Sequence, residues 1–566
     1  MSPLDPFIPR THIAYFSMEI AVRTEIHTYA GGLGVLAGDT ARSCADLELH
    51  VVFVSLVSKA GYFRQQIVSS GRQIEQPDWW DPSKWCTPLD AMIAVHIEGH
   101  PVWIRPWLYV HTCPHGHRIP ILFLDTELDQ NSSEDRTLTH YLYGGDDAYR
   151  LKQEIVLGIG GIRLLRALGF DIHTYHLNEG HAALLALDLL NHHRIPAEDL
   201  EPGESAYELA EVREHCVFTT HTPVEAGHDR FPYELFARLL PEAVDLNELK
   251  RLAGRDRLNM TQLALNLSGY INGVARRHAQ TTQHLYPGHH IHAVTNGIHV
   301  QTWAHDAFAR LYDKHFPHWC HEPEILVRAL QLPEDEIWRC HLAAKSDLQE
   351  RVRRISGIAL DPDLPIVGFA RRMTSYKRPM LLFSDLDRLA AVGSRHPFQV
   401  ILSGKAHPRD FEGKEAIWRI HEIIGRLQGK LTCVFLPDYD MDIAKALVAG
   451  VDVWLNTPLP PLEASGTSGM KAALNGVLNL SVLDGWWIEA CIDDVTGWSI
   501  GIDGDGGATE RHAAALYDKL GGTVLPLYYQ QPERWRWMMK QAIGNIAYYF
   551  NSQRMMRRYA TEAYLR

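Results

Sequence analysis

"PIVGFARRM" (residues 365–373) begins a run of four similar stretches, continued by "QVILSGKAH" (399–407), "CVFLPDYD" (433–440) and "VDVWLNTP" (451–458). Each starts with β-branched, aromatic or other apolar residues and ends in polar or small ones, and a helical segment follows. Strands alternating with helices predict a parallel sheet with right-handed crossovers. The amino-terminal half shows the same alternation. "HIAYFSMEIA" and "VVFVSLV" read as strands, and "LKQEIVLGIGGIRLLRALG" (151–169) reads as a helix ending on glycine. "FDIHTYHLNEG" and "CVFTTHTP" read as strands with polar exits. The alternation breaks near "IHAVTNGIHVQTW" (291–303), where a strand ends in Asn-Gly. The expectation is an α/β protein with two Rossmann-like domains facing a cleft, residues 1–300 and 301–566, the last helix being a candidate to cross back. In open α/β sheets ligands sit at the carboxyl ends of strands, so chemistry is expected at the polar strand exits.

Composition narrows the function. A chain of 566 residues is too long for one core, which also predicts at least two domains. A formal charge of -13 argues against nucleic acid or an anionic membrane as partner. No apolar run reaches the length of a membrane-spanning helix, and the start, "MSPLDPFIPRTHIAYFSMEIAV", lacks the basic-then-apolar pattern of a signal peptide. The 8 cysteines are scattered singly, so neither a zinc site nor a disulfide framework is expected, and a cytoplasmic location is. "HTCPHGHRIP" (111–120) clusters His and Cys but reads as a hairpin turn between "PVWIRPWLYV" and "PILFLDTEL". "GIDGDGGATE" (501–510) lacks the later glutamate of a calcium loop and reads as a Gly-Asp turn; no metal is expected.

Several strand exits carry candidate groups. "YAGGLGVLAGD" (29–39) is a glycine turn leading into a helix, whose free amides suit a phosphate or a sugar hydroxyl. "FARRMTSYKRP" (369–379) crowds Arg371, Arg372, Lys377 and Arg378 together, a solvated face if it lies outside the cleft and an anion site if inside it. Tyr439 stands at another exit, ahead of Asp440 and Asp442 at a helix start. Glu179, His181, His221 and Asp229 come from the opposite half. "EASGTSGMKAALNG" (463–476) sets a single lysine, Lys471, beyond a turn whose glycines admit close approach of a ligand to the backbone.

That last stretch resembles the pyridoxal-phosphate signature of the glycogen/α-glucan phosphorylase family, Glu-Ala-Ser-Gly-x-Gly/Ser-x-Met-Lys followed by Leu-Asn. The similarity continues through Gly-Gly-Leu-Gly (31–34), "THT" (220–222), "NGIHVQTW" (296–303), "RRMTSYKR" (371–378) and "DYD" (438–440), and spans most of the chain. The resemblance implies a glycosyltransferase-B fold and reversible phosphorolysis of an α-1,4-glucan to α-glucose 1-phosphate. It implies that Lys471 holds pyridoxal 5'-phosphate as a Schiff base, with Gly466, Thr467 and Ser468 close to it, Arg371 and Tyr439 on its phosphate, and Trp303 near its ring. Arg372, Lys377 and the Gly32 backbone resemble the inorganic-phosphate site. Leu33 (backbone), His221, Asn296, Glu463, Ser465 and Gly466 resemble the site of the terminal glucosyl unit, and Glu179, His181 and Asp229 lie where the acceptor channel runs. Lys471, Arg372, Lys377, Glu463 and His221 are the implied catalytic set. A homodimer is also what the family suggests.

The chain departs from the animal type at two places. Ser468-Gly469 replaces Gly-Asn, and Thr374-Ser375 replaces His-Glu. It is closer to the compact prokaryotic members, so control by nucleotide or phosphorylation is not expected. The alternatives are a nucleotide-sugar transferase resembling glycogen synthase, which has no use for Lys471 in this signature, and a catalytically silent glucan binder.

Overall fold

The computed structural model describes residues 3–200, 204–223, 227–241, 244–504 and 506–565. The first half forms β1 (Ile13–Ser17), β2 (Val51–Leu56), β3 (Arg64–Ile67), β4 (Gln73–Gln76), β5 (Thr87–Pro88), β6 (Ile93–Ile97), β7 (His100–Thr112) and β8 (Arg118–Asp125). It continues with β9 (Thr174–Asn178), β10 (Cys216–Thr219), β11 (Arg230–Phe231), β12 (Leu258–Asn259), β13 (Tyr270–Gly273) and β14 (His292–Ala293). The second half adds β15 (Ile366–Ala370), β16 (Gln399–Ser403), β17 (Thr432–Leu436), β18 (Val453–Asn456), β19 (Leu478–Val482) and β20 (Gly497–Ile500).

Two large sheets result. The first runs β14-β13-β10-β9-β1-β2-β8-β7-β5, with β6 also paired to β7. Its strands from β14 to β8 are parallel, and β2 is buried along its whole length, as expected of a sheet covered on both faces. The far edge is antiparallel: the hairpin expected around 111–120 is the β7–β8 pair, and β5 and β6, which the strand–helix alternation did not predict, pair with β7 as well. There β6 and β7 are joined directly through Glu98 and Gly99, both at positive φ, a turn too short to hold a crossover helix. The 111–120 stretch is the β7–β8 turn, closed by Cys113 N–H donating to His117 O at 2.9 Å.

The second sheet, β17-β16-β15-β18-β19-β20, is parallel throughout. Among their parallel strands both sheets reverse order at one point: between β1 and β9 in the first and between β15 and β18 in the second. A crevice forms where strand order reverses, because the crossovers on either side leave toward opposite faces.

The two halves are tied together. The β3–β4 hairpin reaches the second sheet through Gln65 Nε2 on Gly404 O (2.9 Å) and Gln73 Nε2 on Ala406 O (2.9 Å). The helix Ser552–Tyr559 packs on the helix Gly32–Asp46, with Ser552 Oγ 2.6 Å from Ser43 Oγ. Further on, Tyr564 Oη lies 2.6 Å from His176 Nδ1 in β9, so the described end of the chain is packed against the first sheet. The 501–510 stretch is a turn before the helix Thr509–Lys519; Asp505 in it lies outside the described residues. Among the described residues no helix is long and apolar enough to cross a membrane.

Candidate active site

The two reversal points open on one cavity of about 1040 Å³. The residues that the resemblance assigned to a site line it, from Gly32 and Leu33 to Lys471, whereas Arg378 and Asp442 do not.

On the second sheet, β15 ends at Ala370 and delivers Arg371 to the cavity, while β18 leads through residues 457–462 to Glu463. Glu463 is buried, and its carboxylate accepts from Arg371 Nη2 at 2.6 Å and from Lys377 Nζ at 2.6 Å. Burial pushes its pKa up, but the two cations outweigh that and bring it to about 2. The pairing leaves something over: Arg371 Nε and Nη1 are buried with no hydrogen-bond partner. Unpaired buried guanidinium donors are costly unless an anion takes them. Arg372 is solvent-accessible from the cavity, with Nη2 3.3 Å from where a Cβ on Gly31 would stand. Arg378, fourth of the basic cluster, is instead structural, donating to Thr457 O and Pro458 O. The Glu463 amide is held by Asp484 at 2.8 Å, whose own carboxyl burial raises to about 7. Gly466 turns the chain at φ +86, a conformation that disfavours any side chain.

Lys471 lies in the short helix Ser468–Leu474, 6% exposed, with its ammonium 3.7 Å over the Trp303 ring. Burial lowers its pKa to about 8. Tyr439 lines the same wall. Asp440 caps the helix Met441–Gly450 by accepting from Ile443 N–H at 2.8 Å. Ser468 Oγ accepts from Trp454 Nε1 at 3.1 Å, so its hydroxyl serves the strand beneath. A Cβ at Gly469 would stand 2.4 Å from Asn479 Oδ1, which leaves no room for the asparagine of the animal type. Thr374 and Ser375 do not line the cavity.

The first sheet supplies a different wall. Glu179, at φ +70, uses its carboxylate internally: Oε1 accepts from Gly180 N–H (3.1 Å), and Oε2 from His221 N–H (2.8 Å) and Thr222 Oγ1 (3.0 Å). The sequence reading set it in the acceptor channel; it lines the cavity, and its carboxylate also braces the His221 loop. His221 Nε2 donates to Asn178 Oδ1 at 2.6 Å, and burial holds the ring well below its usual pKa and therefore neutral. Asp229 pairs with Arg150 Nη2 at 2.8 Å and lies 3.5 Å from His181 Nε2. Burial lowers His181 to about 3, leaving that ring neutral too. Asn296 Oδ1 and Ser465 Oγ, both expected to meet a sugar, are buried without hydrogen-bond partners.

The sequence reading missed Glu19, Arg150 and Asp39. Glu19 follows β1 at the reversal point and accepts from the amides of Ala30 (2.7 Å) and Gly31 (3.0 Å) and from Tyr143 Oη (2.7 Å). It takes two of the amides that the glycine turn was expected to offer a ligand, leaving Gly32 and Leu33 in the first helical turn, where amides have no intrahelical partner. A lone carboxylate in the exit "SMEI" was the available signal. Arg150 lay just outside the stretch read as a helix (151–169), and Asp39 ended the glycine-turn stretch unmarked.

A family model described as carbohydrate phosphorylase matches residues 245–497. The chain is similar to a maltodextrin phosphorylase of Thermococcus litoralis, 39% identical over 98% of this chain and 70% of that protein. It is 36% identical to a glycogen phosphorylase of Mycobacterium tuberculosis, over 98% of this chain and 71% of the relative. A glycogen phosphorylase of Aquifex aeolicus is 33% identical, over 98% of this chain and 86% of its own length.

Proposed function

The chain belongs to the carbohydrate phosphorylase family, and from that premise we infer that it is an α-glucan phosphorylase, transferring the terminal glucosyl unit of an α-1,4-glucan to phosphate and back. The observation that carries this reading is the pairing, in one cavity, of unpartnered guanidinium donors on Arg371 with unpartnered polar atoms on Asn296 and Ser465. An anion answers the first and sugar hydroxyls answer the second. The two sheets, each reversing its order over the cavity, support two Rossmann-like domains of a glycosyltransferase-B fold, divided near residue 300.

The residues fit pyridoxal 5'-phosphate. A buried lysine with its pKa lowered to about 8, lying on an indole face, suits an aldehyde-bearing ring, and the spare Arg371 donors with Tyr439 nearby suit its phosphate. Gly466, Thr467 and Ser468 bring the backbone close. When bound, the group supplies a phosphate that exchanges a proton with the substrate phosphate. Arg372 and Lys377, with the Gly32 amide, bind the substrate phosphate. Their charge lets two phosphates approach, since like charges side by side otherwise force one to take up a proton. Glu463 holds Lys377 and Arg371 in place before substrate arrives. A carboxylate offers about four lone-pair sites, so Glu463 still accepts from a sugar hydroxyl. The Leu33 amide, Asn296, Ser465 and neutral His221 orient the glucosyl unit. Protonation of the departing glucan oxygen falls to substrate phosphate, so no pair of protein carboxylates flanks the bond as in a hydrolase. Asp229 and His181 border the glucan chain, and Glu179 stiffens the loop that carries His221.

The protein is further proposed to be cytoplasmic and dimeric, as the family resemblance suggests. The test is incubation of pyridoxal-phosphate-loaded protein with a maltodextrin and inorganic phosphate, followed by an assay for glucose 1-phosphate. Formation of glucose 1-phosphate only when phosphate is present is expected. Release of free glucose, or transfer requiring a nucleotide sugar, would overturn the reading.

A further inference from the structure

The wall beneath Lys471 is built from both halves of the chain. Trp303, 2% exposed, closes the short helix Val300–Trp303, and its indole N–H donates to both oxygens of Asp39, at 2.8 Å and 3.1 Å. Asp39 is 1% exposed and belongs to the helix Gly32–Asp46, which starts in the glycine turn at the cavity. Its carboxylate is paired with Arg42 Nη1 at 3.2 Å. Arg42 is in turn fixed by donating Nη2 to Ala21 O (3.1 Å) and Val22 O (2.8 Å). From the other side, Asn475 Nδ2 donates to both Trp303 O and Lys471 O at 2.9 Å, setting the two backbones at a fixed spacing. The indole is therefore held at its ring nitrogen by the first half and at its carbonyl by the second.

We propose that Asp39 is a positioning residue for the Lys471 site: its carboxylate fixes the plane of the Trp303 indole on which the lysine, and the group the lysine carries, is seated. This rests on the reading that Lys471 holds pyridoxal phosphate. Two effects follow from the geometry. A ring anchored at N–H to a buried anion cannot tip without leaving that anion unpaired, a loss much larger than the swing of a free indole. The same hydrogen bond draws the N–H proton toward the carboxylate and enriches the ring face, which strengthens its hold on a cation. Asp39 also acts on Lys471 through space. Burial lowers the lysine, Asp39 opposes that and Arg42 adds to it, so removing the Asp39 charge lowers the lysine further. Asp39 has no other evident purpose in the cavity, which it does not line.

The experiment follows cofactor retention rather than turnover. Holoprotein is challenged with hydroxylamine, and loss of the bound chromophore is timed by absorbance in wild type, Asp39→Ala, Asp39→Glu, Trp303→Phe and the Asp39→Ala/Trp303→Phe double variant. Asp39→Ala is expected to release the cofactor about 10-fold faster, the scale of one lost hydrogen bond to a charged group, with partial rescue in Asp39→Glu. Trp303→Phe keeps an aromatic face, smaller than the indole, but lacks the N–H, and is expected to release the cofactor at least as fast as Asp39→Ala. The double variant is expected to be no worse than Trp303→Phe alone, because both changes remove the same bond. In Asp39→Asn, the pH midpoint for capture of pyridoxal phosphate by apoprotein is expected to fall below that of wild type, a shift that a merely structural role would not cause. If Asp39→Ala fails to fold, Trp303→Phe and Asp39→Asn carry the test. Folded variants that retain the cofactor as firmly as wild type, with an unmoved midpoint, would overturn the inference alone. Wild-type protein that takes up no pyridoxal phosphate would overturn the reading of Lys471 itself.

Discussion

The two reversal points face each other across one cavity, and each puts carboxylates there, yet those carboxylates are satisfied in opposite ways. At β1/β9, Glu19 and Glu179 are taken up by backbone amides and hydroxyls of their own wall: Ala30, Gly31 and Tyr143 for the first, Gly180, His221 and Thr222 for the second. At β15/β18, Glu463 is taken up by Arg371 and Lys377, and Arg371 keeps two buried donors unpaired. The first pair of carboxylates is satisfied without a ligand and stands beside neutral imidazoles, while Asn296 Oδ1 and His181 Nδ1 on that side keep room for a polar, uncharged partner. The second is incomplete without an anion. A cleft that must hold a neutral polymer on one side and phosphate on the other needs this division.

The comparison is broken most severely at Lys471. Lys471→Ala is expected to abolish phosphorolysis by more than about 10³-fold and to lose the bound chromophore while the circular dichroism of the fold persists. Next comes Arg371. Arg371→Met removes the spare donors and half of the Glu463 pairing, and a loss of about 10²–10³-fold in kcat is expected, the scale of a lost electrostatic donor at a reacting centre. Arg372→Ala is expected to raise the KM for phosphate about 10–100-fold while the KM for glucan is unchanged, which sharpens the assignment of that side to the anion. On the opposite wall, Glu179→Gln is expected to raise the glucan KM by about 10-fold at most and to spare the phosphate KM. An equal rise in both would erase the division.

The smallest effect concerns pH. Burial raises Asp484 to about 7, so the folded state keeps this proton to a higher pH than the unfolded chain does. The stability it contributes is full below the ordinary carboxyl range and is lost as pH rises through about 7. Asp484→Asn is expected to flatten the fall in melting temperature over that interval, as followed by thermal unfolding at a series of pH values.

The second sheet was largely legible in the sequence because its groups lie in contiguous motifs. Arg371, Arg372 and Lys377 share one strand exit, and Glu463 to Lys471 share one loop and helix. The parallel pairing of the sheet's first four strands follows from regular alternation of strand and helix, whereas the strand order and the strands β19 and β20 do not. The first wall was harder to read because its bonds join distant positions: Arg150 meets Asp229 across 79 residues, and Tyr143 meets Glu19 across 124. Arg150 fell just before the stretch read as a helix and Asp39 at the end of the glycine-turn stretch, and the partners that give them meaning lie on other elements. Of the antiparallel edge, the β7–β8 hairpin was read from its turn, whereas β5 and β6 escaped because they are short and set apart by brief turns instead of helices. The glycine turn read as backbone offered to a ligand does line the cavity, but Glu19 claims part of it, and no local pattern encodes that claim.

The most direct measurement is borohydride reduction of the purified protein after loading with pyridoxal phosphate, with the modified peptide identified by mass spectrometry. Modification of Lys471 alone, blocked in Lys471→Ala, is the predicted result. Modification scattered over exposed lysines, with Lys471 left free, would contradict a cavity whose cationic wall is built around that residue.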